Sequence, residues 1–274
     1  IAKAELVQAL TPEGIALLNY DDPYVRPMAE KTRARVLYYG QGEGAEVQAR
    51  DIAGDILFGL SFTLCYHGEQ QRIQLRLPGE HGVTIALAAA AVGCAAGMNL
   101  AEIGAALETL PPAKGRGEIK SGPNGSILID DSYNANRQSI LAIVNAMHSS
   151  QQAPHGKRWV VLGDIFELGA FAPAEHRAVG EALARQIDYL VAVGEQARFY
   201  VEGALAAGMP ERNAYYYSAD VADAAQLSAV KRAIADLLRQ EVRSDDLVLI
   251  KGSHGMSMET LIPLLQDQKL PDQK

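Results

Sequence analysis

Cysteine is scarce. Cys65 and Cys94 are the only two in 274 residues, and neither belongs to a CxxC pair or a cysteine–histidine cluster. That excludes a disulfide framework and a zinc-finger arrangement, and predicts two buried, reduced thiols. Aromatics are few, at 6%, with one tryptophan. Positive charge is short too: 25 Lys and Arg stand against 33 Asp and Glu, a formal net charge of −8. Nucleic acid is therefore not an expected partner, because a phosphate backbone needs a basic face. No apolar run reaches the roughly 20 residues of a membrane helix. The most apolar stretch, Val83 to Ala96, is too short, and its small residues suit a buried helix. Neither GxxxxGK[ST] nor GxGxxG occurs, and Gly122-Pro123-Asn124-Gly125 reads as a turn rather than a phosphate cradle. No secretory leader pattern precedes the first element, so a cytoplasmic location is the expectation. A chain that opens at Ile1 inside an amphipathic pattern reads as a cut from something longer.

What is present suits one large or two ordinary α/β domains, with 48% hydrophobic residues to build a core. Residues 1–10 read as a helix, 15–19 as a buried strand, and Asp21-Asp22-Pro23 as a helix start. A strand is expected at 35–39. Alternating stretches at 46–52, 56–66 and 71–77 predict antiparallel strands with one wet face. Helices follow near 82–97 and 100–109. Pro111-Pro112 then breaks the rhythm. Strand candidates at 126–130, 158–163, 189–194, 214–217 and 247–252 alternate with helical patterns near 138–149, 174–186, 196–207, 220–240 and 257–267. That alternation predicts an open, mostly parallel sheet with helices on both faces. The domain boundary is placed near residue 112, giving 1–112 and 113–274. The polar tail Gln266–Lys274 is expected to fray.

In open α/β sheets, ligands bind beyond the carboxyl ends of the strands. Three such ends are rich in small and polar residues: Asp130–Asn136, Gly163-Asp164 and Lys251–Gly255. Helix starts follow closely, and their free N–H groups favour anions. Any one of these loops taken alone reads better as strand-to-helix turn chemistry, with Asp, Ser and Asn as caps. Three on one edge point to a site.

The string Asp130-Asp131-Ser132-Tyr133-Asn134-Ala135-Asn136, some fifteen residues after Gly115-Arg116, resembles the Mur ligases. Among them it is similar to the type that adds D-alanyl-D-alanine. Further matches run in family order: Ala2–Leu6, Leu18–Pro23, Pro78–His81 before an alanine-rich helix, Gly163–Gly169 with His176, and Lys251-Gly252-Ser253 with Met258-Glu259. The resemblance covers essentially the whole chain. It implies that 1–112 is the second half of the central ATPase domain and that 113–274 is the Rossmann-like C-terminal domain. The N-terminal domain and phosphate loop would lie outside these residues, so the isolated chain is expected to be inactive.

The activity implied is ATP-dependent amide ligation, with ATP and Mg2+ as cofactors and UDP-N-acetylmuramoyl-tripeptide and D-alanyl-D-alanine as substrates, in a monomer. The tripeptide carboxylate takes the γ-phosphate of ATP, and the acceptor amine then displaces phosphate from the acyl phosphate. The resemblance assigns roles residue by residue. Lys3, as a carbamate, would hold magnesium, whose preference is for hard oxygen ligands. Asn19 would contact adenine and Arg116 the ATP phosphates. Asp131 would hold the ribose hydroxyls, with Asp130 the weaker candidate. Tyr133, Asn134 and Asn136 would line the same loop, and Asp164, Lys251 and Ser253 would lie near the dipeptide. Glu5 reads as helix scaffold and His81 as a hydrogen-bonding residue at a helix start. On local grounds alone Lys3 reads as a solvated surface charge, Asn19 equally well as a turn residue after a strand, and a solvated linker arginine is the alternative for Arg116. The family pattern is broken at Gly82 and Ile85 (usually asparagines), Arg137 (usually proline) and His254 (usually arginine). These departures keep open a divergent ligase or a paralogue with altered acceptor choice. The Asp130–Asn136 string argues against a ligase of the folylpolyglutamate or cyanophycin kind with another acceptor, the second reading, and the absence of a phosphate loop within these residues motivates the third, a non-catalytic binding module.

Overall fold

The computed structural model describes residues 3–55, 57–77, 79–150, 153 and 155–266. Ile1, Ala2, Ile56, Pro78 and the tail 267–274 were covered by sequence expectations and lie outside the described residues. The chain divides into two compact units, Ile1–Pro111 and Pro112–Lys274.

The first unit is built on five strands, β1 (Ile15–Asn19), β2 (Arg35–Gly40), β3 (Val47–Asp55), β4 (Gly59–Tyr66) and β5 (Glu69–Gln74), in that spatial order. β1, β2 and β3 are parallel neighbours, and β3, β4 and β5 form an antiparallel meander. The meander matches the alternation seen in the sequence: β4 buries Phe62 and Leu64 and half-exposes the residues between. The register shifts between Arg50 and Ala53, where Asp51 takes a positive φ. Helix α2 (Glu80–Ala95) lays Val83, Ala86, Leu87, Ala90 and Ala91 on one face of the sheet, against Leu37, Val47, Phe62 and Ile73. Its alanines let the helix approach the sheet closely. Helix α3 (Leu100–Glu108) starts at a capping box in which Asn99 and Glu102 satisfy each other's backbone N–H groups. Helix α1 (Ala4–Gln8) and the 3-10 turn Arg26–Lys31 cover the other face, with Val7, Ala16 and Leu18 at the contact.

The second unit holds six strands, β6 (Glu118–Ser121), β7 (Ile127–Asp131), β8 (Arg158–Gly163), β9 (Tyr189–Val193), β10 (Ala214–Tyr217) and β11 (Leu247–Lys251), in the order β10-β9-β8-β11-β7-β6. All neighbours are parallel except β6, which runs antiparallel to β7. Helices α4 (Arg137–Ser149), α5 (Ala172–Leu183), α6 (Arg198–Ala206), α7 (Ala224–Glu241) and α8 (Ile262–Leu265) complete the unit. Every residue of β11, and all of β8 after Arg158, is buried, as expected where helices cover both faces. The one tryptophan, Trp159, is buried against Tyr189 with ring centroids 3.9 Å apart, and its indole N–H donates to Asp246. Among the described residues no helix is long and apolar enough to cross a membrane.

Several expectations need correction. Asp22 starts no α-helix. Its carboxylate accepts from the N–H groups of Tyr24 and Val25, which builds a turn before the 3-10 segment. The first helix spans only Ala4–Gln8. The helix expected at 257–267 begins after a left-handed Ser257 and is wound first as a 3-10 turn, Met258–Leu261, which runs into the short α8; residue 267 lies outside the described residues. Helix α7 begins at Ala224, after Asp223 accepts from the N–H of Gln226. β6 was not foreseen. Cys94 is buried, but Cys65 is only half-buried, because it sits on the wetter face of β4. The turn at 122–125 forms as read: Asn124 is left-handed, and its amide donates to the carbonyls of Arg239 and Val242 at the end of α7.

Candidate functional site

β8, β11 and β7 are adjacent, so the three loops singled out in the sequence leave one continuous sheet edge. In register, Lys251 stands level with Asp131 on one side and Leu162 on the other. That places the Lys251 ammonium 2.6 Å from Asp131 Oδ2 and 2.8 Å from the carbonyl oxygen of Asn134. The lysine side chain is 2% exposed and the aspartate 16%. Burial pushes the Lys251 ammonium below the usual lysine value, Asp131 pulls it back up, and Arg116 adds to the depression. The pair clamps the Asp130–Asn136 loop onto the end of β11, which makes Lys251 chiefly a support for that loop.

Arg116 is exposed, with its guanidinium carbon 4.1 Å from the centroid of the Tyr133 ring. The His254 ring lies 5.5 Å from the same ring, tilted by 41°. A cation, an aromatic and an imidazole from three chain segments thus meet at this edge, and Tyr133 remains 49% exposed. The arrangement presents a cation and hydrogen-bonding groups to solvent beside the strand ends.

Asp164, after β8, is 3% exposed. Its Oδ2 accepts from the N–H groups of Glu195 and Gln196 just ahead of α6, at 3.0 and 3.2 Å. Gly194 has φ +131, and a Cβ there would lie 2.4 Å from the carboxylate, so only glycine lets Asp164 reach those donors. Asp164 Oδ1 has no hydrogen-bond partner. Burial raises the Asp164 carboxyl, and the backbone N–H groups of Gln196, Ala197 and Glu195 oppose that. His176 Nε2 lies 4.0 Å from Oδ1 but accepts from the N–H of Ile165, while Nδ1 is 2.7 Å from the Ala172 carbonyl. These partners fix a neutral tautomer protonated on Nδ1, and burial accordingly lowers its pKa. Ser253 is buried: its N–H donates to the Asp164 carbonyl and its Oγ accepts from the N–H of Phe166. An open cleft of about 550 Å³ follows β8, lined by Ile165–Ala170, Ala172, Pro173 and Gln196.

The other expected residues fall as follows. Asn134 accepts from the N–H of Ala135. Asn136 caps α4, its Oδ1 accepting from the N–H of Ser139. Asp130 is buried, bonded to Ser132 Oγ at 2.6 Å and to Lys120 Nζ at 2.5 Å. In the first unit, Lys3 is exposed at the start of α1. Asn19 ends β1 with its Oδ1 accepting from the N–H of Asp21. His81 and Glu5 are exposed. Sequence reasoning missed Glu118, Lys120, Gly194 and the Glu195–Ala197 donors. The four-residue polar β6 carries no hydrophobic period, and a glycine reveals its purpose only once Asp164 is seen against it.

A mostly parallel sheet with one polar edge of this kind defines an open α/β domain. Comparison with known proteins makes the class specific. The profile for the Mur ligase middle domain matches residues 1–93, and that for the Mur ligase glutamate ligase domain matches 115–254. The chain belongs to the Mur ligase family. It is 36% identical over 265 residues to UDP-N-acetylmuramoyl-tripeptide--D-alanyl-D-alanine ligase of Mycobacterium tuberculosis, covering 93% of this chain and 51% of that protein. To the enzyme of the same name from Escherichia coli it is 33% identical, covering 97% and 55%. A crystal structure of MurF from Acinetobacter baumannii superposes with a TM-score of 0.79 at 30% identity, covering 96% and 54%. The chain spans about half the length of the curated relatives it matches.

Proposed function

We propose that the chain forms part of an ATP-dependent ligase that joins D-alanyl-D-alanine to UDP-N-acetylmuramoyl-tripeptide in the making of peptidoglycan precursors. The observation that carries this reading is the sheet edge on which the Asp130–Asn136 loop gathers Arg116, Asp131 and Lys251. It is supported by relatives of that name along nearly the whole chain.

The residues present fit the implied groups. Arg116 offers an exposed guanidinium suited to bidentate phosphate contact. Asp131, partly exposed beside it, would accept from ribose hydroxyls. Asn19 uses its side-chain oxygen on Asp21, which leaves the amide nitrogen to address adenine. Lys3 is exposed, so its amine is open to carbamylation, and the resulting oxygens would serve Mg2+. Bound magnesium supplies neutralisation of phosphate charge; the protein supplies position. Asp164, Ser253 and Lys251 are too buried to be broad contact surfaces. Ser253 holds Phe166 and Asp164 holds the Glu195–Gln196 backbone at the cleft that follows β8, where the dipeptide would bind, while Lys251 holds the Asp130–Asn136 loop. The acceptor amine attacks the acyl carbon, loses a proton and displaces phosphate.

The test is phosphate release from ATP by the complete gene product. It should require both UDP-N-acetylmuramoyl-tripeptide and D-alanyl-D-alanine. Equal turnover with glutamate or lysine as acceptor would rule out the stated substrate.

A further inference from the structure

We propose that Lys120 is a positioning residue that holds Arg116 at the sheet edge through a closed ring of hydrogen bonds. The phosphate role of Arg116 in this proposal rests on the reading above; the ring itself does not.

The Lys120 ammonium bridges two carboxylates, Glu118 Oε2 at 2.8 Å and Asp130 Oδ2 at 2.5 Å. Glu118 Oε2 also accepts from the N–H of Gly115 at 2.8 Å. Asp130 Oδ1 accepts from Ser132 Oγ, next to Tyr133. The N–H of Tyr133 donates to the Gly115 carbonyl at 3.1 Å, and the circuit closes. The N–H of Gly117 is held as well, by the Asp130 carbonyl at 2.9 Å. Both neighbours of Arg116 are thus pinned, and its guanidinium rests on the ring of Tyr133, which the same circuit fixes. Gly115 has φ +68, and a Cβ there would come within 3.1 Å of the Tyr133 nitrogen, so the close approach depends on glycine.

Core packing alone does not account for the ring. β6 is four residues long at the sheet's edge, and its one large apolar side chain, Ile119, is 37% exposed. Yet it supplies an ammonium to Asp130, a carboxylate at 3% side-chain exposure. Burial works against the charged ammonium, but the hydrogen bonds and charges of Asp130 and Glu118 outweigh it and raise the Lys120 pKa. Without Lys120 the two carboxylates would face each other uncompensated and repel. The loss would therefore push the 115–118 segment away from 130–133 rather than merely delete a contact.

The test uses Lys120→Met and Lys120→Arg. In the 274-residue chain, the Arg116 Nε–Hε resonance reports the Tyr133 ring current. In the complete gene product, steady-state kinetics give KM for ATP and kcat separately. Lys120→Met should move the resonance toward that of a free arginine and raise the ATP KM about tenfold with kcat nearly unchanged. Lys120→Arg should restore both. An unmoved Arg116 resonance in Lys120→Met overturns the proposal. If the resonance moves while neither Lys120→Met nor Arg116→Ala changes the ATP KM, the ring stands and the phosphate role of Arg116 falls. Should Lys120→Met fail to fold, Glu118→Ala removes the acceptor of the Gly115 N–H and one of the two partners of Lys120; it opens the same ring from its more exposed side and should move the Arg116 resonance and the ATP KM in the same direction, and an unmoved resonance there overturns the proposal.

Discussion

Replacing Asp131 with asparagine keeps the shape of the loop and removes one charge. The Lys251 ammonium, 2% exposed, would then have only neutral acceptors, the carbonyl of Asn134 among them. Breaking a buried pair from one side costs about 3–5 kcal/mol. An independent ceiling exists, because a buried lysine can shed its proton. From an ordinary value near 10.4, doing so at pH 7 costs about 4.6 kcal/mol. The asparagine oxygen still accepts a hydrogen bond, so Asp131→Asn should destabilise the second unit by about 3 kcal/mol. Lys251→Met should cost less, since the aspartate it abandons is 16% exposed and keeps some water. The sign with pH follows. In Asp131→Asn the folded lysine binds its proton more weakly than the unfolded one. Stability should therefore rise with pH from 7 toward 10, more steeply than in the parent chain. The assay is urea denaturation followed by Trp159 fluorescence, the one tryptophan of the chain and a reporter inside this unit. A loss below about 1 kcal/mol, or a loss independent of pH, would refute the claim that Asp131 compensates a buried cation.

Three further outcomes are expected. Gly194→Ala should lower stability by about 3 kcal/mol in the same denaturation assay, because its Cβ displaces Asp164 from the N–H groups of Glu195 and Gln196. His176 is held neutral, with its folded pKa lowered, so stability should fall as pH drops below the ordinary value near 6.5, and His176→Gln should flatten the profile below about that pH. Asn136→Ala should cost about 1 kcal/mol as a lost helix cap and leave the ATP KM unchanged, since its side chain already serves Ser139.

Fold class was legible because each unit states its period plainly. The alternation in β3–β5 and the strand–helix rhythm after Pro112 are both local signals, and the apolar runs 159–162 in β8 and 247–250 in β11 announce strands covered on both faces. Short elements were not legible. β6 owes its existence to pairing with β7 and to the Lys120–Asp130 contact, which join residues ten apart in sequence but say nothing in a window of four. The 3-10 winding at the start of the helical stretch after Ser257 was not legible either: Lys231, buried in α7, donates to the carbonyls of Met256 and Ser257 and to the hydroxyl of Thr260, holding a left-handed Ser257 that no local propensity predicts. At the candidate site, strand-end position picked out three loops that share one sheet edge, but not how their side chains are used within the fold. Asn136 turned out to cap a helix, and Lys251 and Ser253 to be buried ties, because capping and ligand binding draw on the same residue types.

The most direct measurement is a crystal structure of the protein with a non-hydrolysable ATP analogue. The account predicts the Arg116 guanidinium about 3 Å from phosphate oxygens and the Asp131 carboxylate at similar distance from the ribose hydroxyls. A nucleotide bound away from the β7 and β11 ends, with Arg116 still resting on Tyr133 and touching no phosphate, would contradict it.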